Sequence, residues 1–138
     1  MFFLDANTCI YCLNEKSESI RQRILSTSPL EIKIPAVVKA ELLLGAYKSK
    51  APKKSLEKLE ALLQPFEIVP FDEEVAYEYA AIRKQTEVNG TPVGPNDLMI
   101  AAIVKFHEGI LVTNNTREFS RIDGLRLENW REAMDQLQ

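Results

Sequence analysis

Histidine and cysteine are scarce: His107 is the sole histidine, and Cys9 and Cys12 are the only cysteines among 138 residues. A single histidine rules out a two-histidine ribonuclease mechanism within one chain. Two cysteines and one histidine fall short of the roughly four ligands that a structural zinc site takes. The C-x-x-C spacing could suggest a thioredoxin-like redox pair. However, Ile10-Tyr11 separates the thiols and the stretch is apolar and helical, so both read as small buried hydrophobes. His107 closes an apolar helix beside Glu108-Gly109, where a cap role fits. No apolar run is long enough to span a bilayer. Met1 leads straight into Phe2-Phe3-Leu4-Asp5, and an acid so early without a basic region argues against a signal peptide. The expected location is the cytoplasm. A Gly-rich phosphate loop, internal repeats, low-complexity tracts and linkers are also missing. The length suits one domain over residues 1–138.

A basic excess is missing too. There are 17 Lys and Arg against 20 Asp and Glu, a net charge of −3. A nucleic-acid binder usually carries the opposite sign, but a local basic patch can coexist with a small negative total. Lys39, Lys48, Lys50, Lys53, Lys54 and Lys58 form such a patch, against only Glu41 and Glu57. It reads equally well as a solvated helical edge.

Hydrophobic residues make up 46% of the chain, enough for a core. Short apolar runs alternate with helical patterns. Strands are expected at Phe2–Leu4, Glu31–Ile34, Phe66–Val69, Ile110–Thr113 and Leu125–Leu127. Helices are expected over Thr8–Leu13, capped by Asn7 or Thr8, and over Ser19–Leu25. Further helices fit Ala36–Tyr47, with Pro35 at a first-turn position, and Pro52–Leu63. Another starts at Asp72 and ends at the Asn89-Gly90-Thr91-Pro92 breaker, and one runs from Gly94-Pro95-Asn96-Asp97 to Gly109. Asn114–Phe119 reads as a loop with one helical turn, and Trp130–Leu137 as a terminal helix. This alternation predicts an α/β fold with a mostly parallel sheet of four to five strands between helices. In such sheets functional groups gather at the carboxyl ends of strands.

Four acids stand at such places or in apolar company. Asp5 follows the first strand, Glu41 lies inside VVKAELLLGA, Asp97 opens an apolar helix, and Glu118 follows the fourth strand by one short loop. Each has an ordinary explanation: a cap for Asp5, a helix edge for Glu41, the helix dipole for Asp97, a loop acid for Glu118. Glu41 resists it most. An unpaired buried carboxylate is very costly unless it is protonated, paired or bound to a cation. Its neighbours one turn away are Val37, Val38, Leu44 and Gly45, which offer no salt bridge. If the four converge, an all-oxygen donor set suits Mg²⁺ or Mn²⁺. Two such ions roughly 3.5–4 Å apart can activate a water and stabilise a leaving oxygen. Asn7, Asn96, Thr113 and Asn115 could orient water or a phosphate, or serve only as turn and cap residues.

FLDANTCI, PAVVKAELLLGA, TPVGPNDLMIAA and LVTNNTREFSRIDGL follow one another in order. Together they resemble a PIN-domain ribonuclease, and more narrowly the VapC toxins of bacterial toxin–antitoxin pairs, over nearly the whole chain. The resemblance implies a PIN-like three-layer fold and a Mg²⁺- or Mn²⁺-dependent endoribonuclease. It gives Asp5, Glu41 and Asp97 the first three acidic roles, with Asp5 and Asp97 as metal ligands. Many PIN domains carry an aspartate soon after the Thr of the last motif; here Asn114 and Asn115 stand there, so Glu118 inherits the fourth role. Ala6 replaces the hydroxyl residue often found after the first acid. The family also implies a homodimer, a small VapB-like antitoxin whose tail enters the groove, and a leaning toward initiator tRNA as substrate. An acidic groove rimmed by Lys48, Lys50, Lys53, Lys54, Arg83 and Arg117 would reconcile the negative charge with an RNA substrate.

Two other readings remain open at this stage. A haloacid-dehalogenase-type phosphatase also places an Asp after strand one, but wants a second Asp two residues on, where this chain has Asn7. A non-catalytic RNA-binding or regulatory module could keep the fold without the activity.

Overall fold

Strand β1, Phe2–Leu4, lies at the centre of a five-stranded sheet in the order β3-β2-β1-β4-β5, in a computed structural model that describes residues 1–131. The other strands are β2 (Ile32–Pro35), β3 (Glu67–Val69), β4 (Ile110–Val112) and β5 (Arg126–Glu128), and every pairing is parallel. Phe3, Leu4, Ile32, Ile34, Leu111 and Val112 are buried. Central parallel strands are covered on both faces, so they read as unbroken apolar runs. The edge strands carry Glu67, Arg126 and Glu128, charges that discourage edge pairing.

Helices α1 (Ala6–Leu13) and α2 (Glu18–Ser26) connect β1 to β2, and α3 (Ala36–Tyr47) and α4 (Pro52–Leu63) connect β2 to β3. Helices α5 (Glu73–Val88) and α6 (Pro95–Phe106) lead to β4, and the single turn α7 (Thr116–Phe119) leads to β5. Leu98 and Ile100–Val104 of α6 are all buried, as a helix apolar on every side requires. The connections run one way from β1 to β3 and the other way through β4 and β5. The order therefore reverses between β1 and β4, the position where open α/β sheets form their crevice. Asp5 N–H extends that pairing by donating to the Val112 carbonyl at 3.1 Å.

Several expected boundaries move, each for a local reason. The cap of α1 is Asp5 rather than Asn7 or Thr8: its carboxylate accepts from Thr8 N–H at 2.8 Å, which draws both later residues into the helix. Ser17 caps α2, which starts at Glu18. Ser28-Pro29 starts a 3-10 turn over Pro29–Glu31, so β2 begins at Ile32 and reaches Pro35, opposite Val69. Pro35 is thus the cap of α3, not its first-turn residue. Strand β5 sits one residue later than its apolar run suggests. Trp130 and Arg131 are not helical, and the rest of the expected terminal helix lies outside the described residues. Helix α3 is less enclosed than its composition implies: Leu44 is 58% and Tyr47 62% exposed. Among the described residues, no helix is long and apolar enough to cross a membrane.

Candidate active site

The carboxyl ends of β1 and β4 lie side by side and carry Asp5 and Thr113. Asp5 is buried, and Thr113 is fully so. Burial pushes the Asp5 carboxyl up from the usual aspartate range; hydrogen bonds from the Thr113 hydroxyl and from Thr8 draw it part of the way back. The Thr113 hydroxyl also accepts from Asn115 N–H at 2.9 Å. The Thr8 hydroxyl donates to the Val112 carbonyl at 3.2 Å, tying α1 to β4. Asp5 is therefore both a helix cap and an acid held under the crevice.

Glu41 projects from the second turn of α3 and is half-buried. Its Oε1 is buried without a hydrogen-bond partner. Burial, and then the charge of Asp5, push its carboxyl above the ordinary glutamate range. The apolar neighbours noted in the sequence supply that desolvation. Gly45 leaves open space beside it, with nothing within 4 Å of where a Cβ would stand.

Asp97 sits in the first turn of α6, also half-buried. Burial, followed by the charge and shared hydrogen bond of Glu118 and then by Glu41 and Asp5, raises its carboxyl to about 6. Glu118 is shifted the opposite way. Gly94 N–H donates to its Oε1 at 3.0 Å and Asn115 Nδ2 to its Oε2 at 2.9 Å. The Gly94 bond is the main cause of the lowering, with Asn115, Asp97 and the charge of Arg121 acting in the same direction. Asp97 is thus the member of the pair pushed toward its protonated form, and Glu118 the one favoured as a carboxylate.

Asp97 therefore feels the charge of the other three acids, and Glu41 that of Asp5, although they come from residues 5 to 118. Among the described residues, no three Asp, Glu, His or Cys side chains stand so that one ion could be held by them as placed. The donor chemistry nevertheless fits a hard cation. The set is all oxygen, burial pushes Asp5, Glu41 and Asp97 toward their neutral forms while Glu118 is held charged, and the Glu41 oxygen is left without a partner.

The supporting residues divide. Thr113 and Asn115 bond directly to the acids, whereas Asn7 and Asn96 are exposed at the first turns of α1 and α6. Lys48, Lys50, Lys53 and Lys54 are exposed around the α3–α4 turn. A hollow of about 320 Å³ runs from Glu41 past Gly45 to Ser49 and Ser55; Glu41 is the one of the four acids that lines it, and none of these lysines does. Arg117 is exposed beside Glu118. Arg83 is engaged within α5, by Glu87 at 2.9 Å and the Tyr79 hydroxyl at 2.6 Å, so the structure does not bring it to the acids. Cys9 is fully buried and Cys12 half-buried, both as free thiols.

Three further contributors come to light in the folded structure. The Thr8 hydroxyl reaches another strand. The Asn114 amide, just past Thr113, is buried with neither atom hydrogen-bonded. Arg121 acts on Glu118 from beyond α7. Only Thr8 had a local clue, its three-residue spacing from a capping Asp.

The PIN domain family matches residues 2–125. The tRNA(fMet)-specific endonuclease VapC of Salmonella typhimurium is 42% identical over 130 residues, covering 94% of this chain and 97% of that protein. Ribonuclease VapC2 of Rickettsia felis is 37% identical over 131 residues, with 94% and 98% covered. Among solved structures, the DNA-bound VapBC of Salmonella typhimurium superposes with a TM-score of 0.89 at 40% identity, covering 94% of this chain and 97% of that one. Family model, relatives and fold agree, and the chain belongs to the PIN-domain family, within its VapC ribonuclease branch.

Proposed function

We propose that this nuclease is the toxin of a VapBC-type pair, a Mg²⁺- or Mn²⁺-dependent endoribonuclease that cuts RNA phosphodiesters in the cytoplasm, with initiator tRNA as the preferred substrate. The observation that carries the reading is Asp97, whose carboxyl is raised to about 6 by burial and by three further acids from separate elements. A bound divalent cation would supply an acidified water for attack and charge to stabilise the leaving oxygen. Asp5 and Asp97 would hold it, with Glu41 and Glu118 completing the donor set. Thr113 and Thr8 fix the Asp5 carboxylate, and Asn115 and Gly94 fix both oxygens of Glu118, so two of the four acids are pre-oriented. The exposed lysines around the α3–α4 turn would grip RNA phosphates.

The substrate preference rests on the 42% identical endonuclease, whose name specifies tRNA(fMet). The partner reading rests on the VapBC complexes that share this fold. Leu44 and Tyr47 on α3 and Ile10 on α1 leave apolar surface exposed, which suits a small antitoxin. A homodimer, and a larger assembly with the antitoxin, belong to the same proposal.

The test is cleavage of initiator tRNA, elongator tRNA and total RNA by purified protein with Mg²⁺, Mn²⁺ or EDTA, beside Asp5→Ala and Asp97→Ala. The expected result is metal-dependent cuts, strongest in initiator tRNA and absent in both variants. Cleavage in EDTA, or full activity in both variants, contradicts the mechanism. Tight RNA binding without cleavage under any metal would instead identify a non-catalytic binding module.

A further inference from the structure

Asp97 and Glu118 are carried by segments twenty-one residues apart, the first turn of α6 and the turn α7. Their shared hydrogen bond requires those segments to stay in register, and neither acid can impose that. The join is made by neighbours. Arg121 Nη1 donates to the Pro92 carbonyl at 2.7 Å, reaching from just beyond α7 to the loop that enters α6. Two residues along that loop, Gly94 N–H donates back to Glu118 Oε1 at 3.0 Å. Loop and turn are thus linked twice, by bonds running in opposite directions.

The turn has its own support. Gln85 of α5 donates from Nε2 to the Arg121 carbonyl at 3.1 Å, and its Oε1 accepts from Asp123 N–H at 3.1 Å. One side-chain amide therefore satisfies two main-chain groups that flank Ile122, which is buried. Helix α5 packs along α6, so the support returns to the helix that bears Asp97. A guanidinium keeps its charge at any working pH and presents several donors in a fixed fork. It suits a permanent brace better than a group that titrates.

We propose that Arg121, backed by Gln85, is a positioning residue that sets the spacing of Asp97 and Glu118 by clamping the Pro92–Gly94 loop onto the α7 turn. The inference rests on the reading of these acids as the metal-holding site. Arg121 acts through the loop and through Glu118 and not by touching substrate.

Two measurements test it. The first is hydrogen exchange at the Gly94 amide in metal-free protein, by NMR. Arg121→Ala should speed exchange there about tenfold relative to amides in the α6 interior, because the loop opens locally. The second is Mn²⁺ affinity, read by the EPR signal of free Mn²⁺. Arg121→Ala should weaken binding about tenfold, as loss of an outer support commonly does. Arg121→Lys, which keeps one donor in reach of Pro92, should recover most of it. Gln85→Ala should act in the same direction, and adding it to Arg121→Ala should cost less than the sum of the two, because both act on one brace. In steady-state cleavage the loss should fall on kcat, with KM for RNA changed less than about twofold. A lowered Tm with wild-type Gly94 exchange and wild-type Mn²⁺ affinity would overturn the proposal and leave Arg121 a plain stabilising residue. If wild-type protein itself bound no Mn²⁺, the metal reading would fail, and Gly94 exchange would still decide the clamp. Should Arg121→Ala not fold, Arg121→Lys and Gln85→Ala carry both measurements.

Discussion

The Asp97 carboxyl is shifted up and that of Glu118 down, and the pair contributes to how the metal-free protein responds to pH. A carboxyl raised to about 6 in the fold binds its proton more tightly there than in the unfolded chain, where 3.8 is usual. Its contribution to stability is present below about pH 4 and is lost as pH climbs through about 6. Asp5 and Glu41 have the same sign. Glu118 is lowered, so its contribution is lost instead on acidification below the glutamate range. With solvent screening allowed for, Asp97 should cost metal-free protein about 1–2 kcal/mol between mildly acidic and neutral pH. Asp97→Asn should flatten that slope in urea melts run with chelator, while abolishing cleavage. An unchanged slope would mean that Asp97 does not hold the proton. Thr113→Val deletes a hydroxyl shared by Asp5 and Asn115, and should destabilise the protein by about 1–3 kcal/mol with cleavage reduced more than tenfold. Glu41 stood out in the sequence because an acid in apolar company needs a reason, whereas Asp5 and Asp97 gained weight from the family resemblance. Arg121 and Asn114 did not, because a loop residue bonded across space leaves no periodic trace.

At the scale of elements, burial shows why the apolar runs were readable. Helix α6 is apolar on nearly every side and is buried accordingly, and the central strands follow the same rule. Tight junctions were less visible. Gly109 joins α6 to β4 where a Cβ would overlap the Phe3 ring and approach the Met1 carbonyl at 3.4 Å. Gly109→Ala should therefore destabilise by about 1–3 kcal/mol, a loss visible in thermal melts and absent from Gly45→Ala, whose Cβ would meet open space. Helix α3 is the element whose composition misleads most. It reads as fully buried, yet Leu44 is 58% exposed. Leu44→Ser should change monomer stability by less than about 0.5 kcal/mol. A loss of several kcal/mol in a chemical melt would show that face to be covered within the chain.

The whole molecule gathers acids from β1, α3, α6 and α7 at the point where strand order reverses, and crowding there should make stability depend on divalent cations. Mn²⁺ at about a hundred times its dissociation constant adds roughly 2.7 kcal/mol, so Tm should rise by roughly 5–10 °C at neutral pH. The rise should shrink near pH 5, where Asp97 keeps its proton, and should vanish with EDTA. An equal rise at both pH values would point to a site elsewhere. The sequence by itself determined the α/β alternation, the apolar cores of the strands and α6, and the acids worth watching, because periodicity and local polarity are properties of neighbouring residues. The tertiary structure alone decided that Asp5 caps α1, that Asp97 is shifted up and Glu118 down, and that Arg121 and Gln85 hydrogen-bond across segments distant in the chain. Those outcomes depend on burial and hydrogen bonds between residues distant in the chain, which no local pattern encodes.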